Sequence, residues 1–232
     1  MPMSSQTLSF RLRIARNRSD LLAACAVRAE SYGHHLPHLR AAFELPDSLD
    51  LEPDTAVFVC VDKATGQPVG TARVQTNARG PLLIETSIAL PEAMHSDTRA
   101  EITRLAVAPG ADPLIKLALV KASYLFCVAN QVRWTIIGAR SEALCRQYRR
   151  LGFRELFEDG QPVPLKHAGQ LLHHVLAFNV TTAERHWHSG QHPLYQFMAD
   201  TMHRDIDLFT SEPALQAPAV ELASGRAETA AV

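Results

Sequence analysis

The stretch SEALCRQYRRLGF, Ser141 to Phe153, follows directly on the apolar run WTIIGA, Trp134 to Ala139. The run reads as a strand. Ser141 is a good helix cap, because its hydroxyl accepts a backbone N–H that the first helical turn leaves without a partner. Leu144, Tyr148 and Leu151 then fall at i, i+4 and i+7 and share one helix face, which predicts packing on a sheet. Arg146, Arg149 and Arg150 share another face and meet solvent. Gly152 ends the helix, and Phe153 to Phe157 resumes strand. Tyr148 therefore points inward, where its hydroxyl needs a partner.

Working outward, Asp112-Pro113 starts a helix that runs to about Asn130. It follows a strand over Ala100–Val107 that stops at Pro109-Gly110. Ala56–Val61 and Val69–Gln75 form a hairpin across the Thr65-Gly66 turn. Phe10–Ile14 is a short strand, and Leu21–Tyr32 is a helix entered through the cap-type residues Asn17 to Asp20. Residues 33–51 and 76–99 are irregular. Leu171–Val180 is the last strand. Thr181–Phe209 has a mostly helical pattern, broken near Gly190 to Pro193. This order predicts an α/β (α+β) chain with a mixed central sheet and helices on both faces. It divides into an N-terminal tail (1–9), a main domain (10–180), a C-terminal helical extension (181–210) and a tail rich in Ala, Pro and Glu (211–232) expected to be disordered.

Composition narrows the function. A net charge of -1 gives no basic surplus, so no nucleic-acid partner is expected. Cys25, Cys60, Cys127 and Cys145 form no CxxC pair and read as free thiols in a reducing compartment, the cytoplasm. Met1 to Ser9 has no signal-peptide pattern. Leu114 to Ala129 is interrupted by Lys116, Lys121 and Ser123 and is shorter than the ~20 residues of a membrane span, so a buried core helix is expected. Histidines cluster at His34, His35 and His38 and at His186, His188 and His192. The first cluster has zinc-like spacing, but Pro37 intervenes and no cysteine or carboxylate completes a set, so no metal is expected.

The strand–helix–(Tyr-x-x-Leu-Gly-Phe)–strand arrangement resembles the last third of the GNAT acyltransferase fold. Upstream lie Arg28 and Tyr32 on the first helix, Asp54 before the hairpin, Gly70-Thr-Ala-Arg73 on its return strand, and Glu101-Ile-Thr-Arg104-Leu-Ala-Val107. This ordered set resembles the acyl-homoserine-lactone synthases. It is more similar to the N-acyl amino acid synthases of the FeeM type, which share V-R-x-x-x-Y, V-G-T-A-R and E-I-T-R-L-A-V. The resemblance covers roughly residues 20 to 180.

The resemblance implies transfer of a long acyl chain from a carrier thioester to the amine of an amino acid. Glu101, directly or through a water, would take the amine proton, an N–H near Val107 would hold the oxyanion, and Tyr148 would protonate the departing thiolate. Arg28, Tyr32, Arg73 and Arg104 would bind substrate, with Arg73 or Arg104 gripping its carboxylate in a bidentate fork. The same charged residues would equally serve as a buried salt-bridge network. Apolar residues of the 114–129 helix would line a tunnel for the acyl chain.

Members that use acetyl-CoA carry a Gly-rich turn where this chain has Pro109-Gly110-Ala111-Asp112-Pro113. Prolines remove amide donors and Asp112 repels phosphate, so the implied co-substrate is an acyl-phosphopantetheine arm on acyl carrier protein, with no tightly bound cofactor. From Arg133 to Arg154, six arginines stand against one glutamate. Arg140, Arg146, Arg149 and Arg150 are the expected docking face for that acidic carrier. Three alternatives remain: a lactone synthase, disfavoured because residues 33–39 lack the family's usual tryptophan, an acyltransferase of another acceptor attached to a surface-protein sorting system, which the same resemblance covers, and a GNAT-like binding module without turnover.

Overall fold

The computed structural model describes residues 5–35 and 37–209. Its elements in chain order are β1 (Ser5–Gln6), β2 (Phe10–Ile14), α1 (Arg18–His35), β3 (Thr55–Asp62), β4 (Pro68–Thr76), β5 (Arg99–Val107), α2 (Leu114–Ala129), β6 (Trp134–Ala139), α3 (Glu142–Leu151), β7 (Arg154–Glu155), β8 (Val163–Leu165), β9 (Leu171–Asn179), α4 (Val180–Ser189), β10 (Met202–His203) and β11 (Ile206–Asp207). The main sheet has the order β11-β2-β3-β4-β5-β6-β9-β7, with β8 also on β9. The β2–β3–β4–β5 run is antiparallel, β5 and β6 are parallel, and β6 and β9 are antiparallel, so the sheet is mixed as expected.

Strand alternation sends neighbouring side chains to opposite faces. Phe58, Cys60, Ala72, Val74, Ala100 and Ile102 pack with α2, α3 and α4 in the main core. Val57 and Val59 pack instead under Leu21 and Ala24 of α1. Arg73, Glu101 and Thr103, which alternate with the main-core residues, therefore share the α1 side of the sheet. Gly70 allows α2 to approach β4: a Cβ there would stand 2.5 Å from Cγ2 of Ile115.

Several boundaries differ from expectation. Ser5–Gln6 is not free tail but pairs in parallel with Met202–His203. The C-terminal extension is helical only to Ser189. Beyond Gly190 and Pro193 comes a single π-helical turn, Gln196–Asp200, and then β10 and β11. The buried Lys121 explains this path, since its ammonium takes the carbonyls of Phe197 (2.5 Å) and Thr201 (2.6 Å) and Nδ1 of His203 (3.0 Å). The strand expected over 153–157 shrinks to the two residues of β7. The tail expected over 211–232 lies outside the described residues. All four cysteines are free and buried. Among the described residues no helix is long and apolar enough to cross a membrane.

Candidate active site

β5 and β6 pair only from Arg99↔Trp134 to Ile102↔Ile137. Beyond these residues the two strands part. β5 carries a bulge at this point: its register on β4 jumps from Arg73↔Thr103 to Thr71↔Ala106, and Arg104 has φ +55. A bulge bends and twists its strand, and a non-glycine residue in the left-handed region is a strain retained at functional sites more than elsewhere. Ala108 gives its N–H to Val69 on β4. By the alternation of an antiparallel ladder, the N–H of Val107 and the carbonyl of Leu105 then turn toward the gap. The Tyr32 hydroxyl reaches that carbonyl at 3.4 Å.

On the α1 side of the gap lies a charged network. Arg28 Nη1 donates to Asp50 at 2.7 Å. Arg73, with no exposed side-chain surface, gives Nε to Thr103 (3.0 Å) and Nη1 to Asp47 (2.7 Å) and Asp50 (3.2 Å). Arg104 donates Nη2 to Asp47 at 3.2 Å and lies 4.6 Å over the Phe43 ring, which in turn packs 4.8 Å from Tyr32. Burial alone would raise the Asp47 carboxyl, but the hydrogen bonds and charge of Arg73, with Arg104 behind, bring it down to about 2. The carboxylates of the set are thus Asp47 and Asp50, not Asp54, which among the described residues offers its backbone carbonyl to Thr76.

Two sequence expectations change here. Arg28 and Arg73 are sealed into the network; Arg73 spends Nε and Nη1 on Thr103, Asp47 and Asp50, while its Nη2 is buried without a partner among the described residues. Arg104, with 22 % of its side chain exposed, is the guanidinium at the surface of the network. Asp47 and Asp50 escaped notice because residues 33–51 have no periodicity. The signal present was Asp47-Ser-Leu-Asp50 itself, which forms a reciprocal capping box on a short 3-10 helix. The loop's aromatic is Phe43, just beyond the 33–39 window.

Glu101 is 1 % exposed. Its Oε2 accepts the N–H of Ile84 at 2.8 Å, and its Oε1 lies 3.5 Å from Nε2 of His167. Burial pushes the Glu101 carboxyl up to about 7, against the Ile84 N–H and the positive charge of Arg73. His167, on the turn between β8 and β9, is pushed down to about 4 by burial and by Arg104, His173 and Arg73. Nothing in the periodicity of Lys166-His-Ala168 marked it.

Tyr148 is on the other face. It is buried against Phe153 (5.7 Å between rings), and burial raises its phenol, with Tyr32 adding to the effect. The expected hydroxyl partner is not found among the described residues. Beside it, Ile102, Val120, Tyr124, Leu151, Phe153 and Met198 line a narrow apolar crevice between the sheet and α2 with only about 10 Å³ of open room, about one water.

The basic face is thinner than the sequence implied. Arg149 is held between Glu142 and Glu155, and Arg133 is paired with Asp97. Arg146 and Arg150 are exposed with no ion pair among the described residues. Arg140 lies at the end of β6, close enough to Tyr32 and His173 to act on both. Asp112 accepts from the Leu114 N–H (2.9 Å) and from Ser9 (2.8 Å), so a carboxylate already sits at the start of α2. The histidine clusters are spread over separate elements: His34 lies in the last turn of α1 and His38 in the next 3-10 helix, while His186 and His188 lie on α4 and His192 bonds the Arg150 carbonyl. Glu142, Cys145 and His174 bring their ligand atoms within 4.8 Å of one another, with Arg149 3.7 Å from the exposed Glu142 carboxylate.

Parted parallel strands with a bulge at the fork define the GNAT acyltransferase fold, and solved structures agree. FeeM, an N-acyl amino acid synthase from uncultured soil microbes, matches with a TM-score of 0.60 at 15 % identity, over 82 % of this chain and 98 % of its own. BjaI, a CoA-dependent acyl-homoserine lactone synthase solved with SAM and isopentyl-CoA, matches at 0.53 and 16 % identity, over 84 % and 93 %. An acyl-CoA N-acyltransferase from Pseudomonas aeruginosa matches at 0.50 and 16 %, over 72 % and 97 %. No protein-family model and no curated protein matches the sequence. At these identities the likeness is one of fold.

Proposed function

We propose that this protein is an N-acyltransferase that moves a long acyl chain from acyl carrier protein to the amine of an amino acid, in the cytoplasm. The observation that carries this reading is the gap between β5 and β6, with the charged network on one face of the sheet and Tyr148 on the other. A thioester threaded through the gap meets an acceptor from the α1 side and leaves its thiolate on the α3 side.

The acceptor arrives as an ammonium at neutral pH and cannot attack until it loses a proton. The Glu101 carboxyl, held near neutrality, is matched to that task. Arg104 is placed to take the acceptor carboxylate. The Val107 N–H, turned into the gap, stabilises the developing oxyanion. Tyr148, kept protonated by burial, supplies a donor to the leaving sulfur. The acyl chain enters the apolar crevice, which must open to take it, and Met198 is the side chain best able to move.

The carboxylate of Asp112 at the start of α2 supports a donor without the pyrophosphate of CoA. Exposed Arg146 and Arg150 support docking of an acidic carrier, with Arg140 nearer the gap. A second reading, lactone synthesis with S-adenosylmethionine, is kept alive by Phe43, which supplies beside Tyr32 the aromatic that residues 33–39 lack.

The test is incubation with long-chain acyl carrier protein or acyl-CoA, each with a panel of amino acids and with S-adenosylmethionine, followed by mass spectrometry. An acyl-amino acid from the carrier protein is expected. A lactone selects the second reading, efficient use of CoA removes the carrier preference, and no product from any donor leaves a binding module.

A further inference from the structure

We propose that His167 is a catalytic residue, the relay through which Glu101 receives the proton of the acceptor amine. This rests on the acyltransfer reading above. The difficulty it resolves is one of access. Glu101 is closed off from solvent, one oxygen is taken by the Ile84 N–H, and the other faces the imidazole. An amine has no free route to that carboxylate. His167 keeps 15 % of its side chain exposed, and its Nδ1 is buried without a partner among the described residues. A sealed, unpaired ring nitrogen costs stability, so its retention calls for a reason. A bound amine supplies one, once the partly exposed ring turns its Nδ1 outward to meet it.

The step balances without an imidazolium. At rest the ring is the Nε2–H tautomer, donating toward Glu101 Oε1, with Nδ1 bare. As the acceptor N–H bond breaks, Nδ1–H forms. The Nε2–H bond breaks and Oε1–H forms. The amine gains its lone pair, Glu101 becomes neutral, and His167 ends neutral as the other tautomer. The 3.5 Å separation must shorten, as catalytic hydrogen bonds commonly do once substrate is bound. The surroundings suit this concerted transfer. Arg104, Arg73 and His173 face the ring and oppose a positive charge on it, while Arg73, Arg104 and Glu85 face Glu101. His173 cannot substitute, because its Nδ1 is tied to the Leu171 carbonyl at 2.8 Å.

The test has two arms. In the substrate-free protein, 15N NMR of the histidine rings should show His167 as the neutral Nε2–H tautomer from pH 8 down to 5. An imidazolium at pH 6 would overturn the relay. In turnover, His167→Gln should lower kcat/KM with an amino acid about 100-fold at pH 7. Its rate should then climb about tenfold per pH unit toward the amine's own pKa, where wild type has levelled off. A folded His167→Gln enzyme with the wild-type rate and pH profile would overturn the relay while leaving acyl transfer intact. A wild type without transfer from any donor would overturn both.

Discussion

Replacing Asp50 by Asn should cost this protein about 3 kcal/mol of folding stability. Asp50 is fully buried and accepts from Arg28 (2.7 Å), Arg73 (3.2 Å) and the Asp47 N–H (3.1 Å). Asparagine keeps the shape and one acceptor but removes the charge. Arg73 retains Asp47, whereas Arg28 has no other partner among the described residues, where its Nε and Nη2 are already unpaired. Breaking a buried ion pair from one side costs ~3–5 kcal/mol, because it leaves an uncompensated charge in the interior. The low end applies here because the amide oxygen remains. For a chain of this length that is a fall in Tm of roughly 6 to 12 °C. Thermal and urea unfolding followed by circular dichroism measure it. Arg28→Met added to Asp50→Asn should recover much of the loss, since the stranded charge is then gone. A single variant within ~0.5 kcal/mol of wild type, or a double variant worse than the single, would refute the buried-pair account.

Three further outcomes follow from particular contacts. Gly70→Ala should destabilise by about 1–3 kcal/mol, since the new methyl meets a β-branched Ile115 that is itself buried, and Ile115→Leu should relieve part of it; chemical denaturation reads both. The Glu101–His167 pair should make wild-type stability fall only gently as pH rises, because the two groups act with opposite sign and the Glu101 arm is the larger. Glu101, raised from 4.5 to about 7, holds a proton in the folded state and makes stability fall as pH rises through that window. His167, lowered from 6.5 to about 4, makes stability rise between those values. Glu101→Gln should therefore show stability rising with pH below ~6.5, and His167→Gln should show it falling toward ~7. The Glu101 arm is worth about 3 kcal/mol and the partly exposed His167 arm less; urea melts at half-unit pH steps measure the slopes. Arg146→Glu with Arg150→Glu should raise KM for acyl carrier protein about tenfold at low salt and little at high salt, with acyl-pantetheine unaffected, whereas Arg149→Ala should do less because Glu142 and Glu155 already hold that charge.

What the sequence made legible was local. The helix of Tyr148 announces itself by a serine cap, a repeat at i, i+4 and i+7, and a glycine stop, and Gly152 does take the left-handed conformation at φ +103. The β-hairpin and the strand of Glu101 to Val107 are likewise written in short apolar runs. The bulge that opens the gap depends on register between two strands and leaves no pattern of its own. Asp47, Asp50 and Phe43 lie in a loop, where position is set by the arginines they meet rather than by their neighbours in the chain. His167 is visible only once β8 folds back on β9 and carries it over Glu101. The C-terminal segment misled because its composition suits a helix, while a lysine about 80 residues earlier takes its carbonyls.

The most direct measurement is a single turnover. Protein in excess over acyl carrier protein bearing a labelled acyl group is mixed with one amino acid, and the free carrier thiol and the amide are quantified together. The account predicts one amide formed for each thiol released, with both appearing at the same rate. Thiol release without amide, or a carrier that stays loaded while acyl-CoA is consumed, would contradict it.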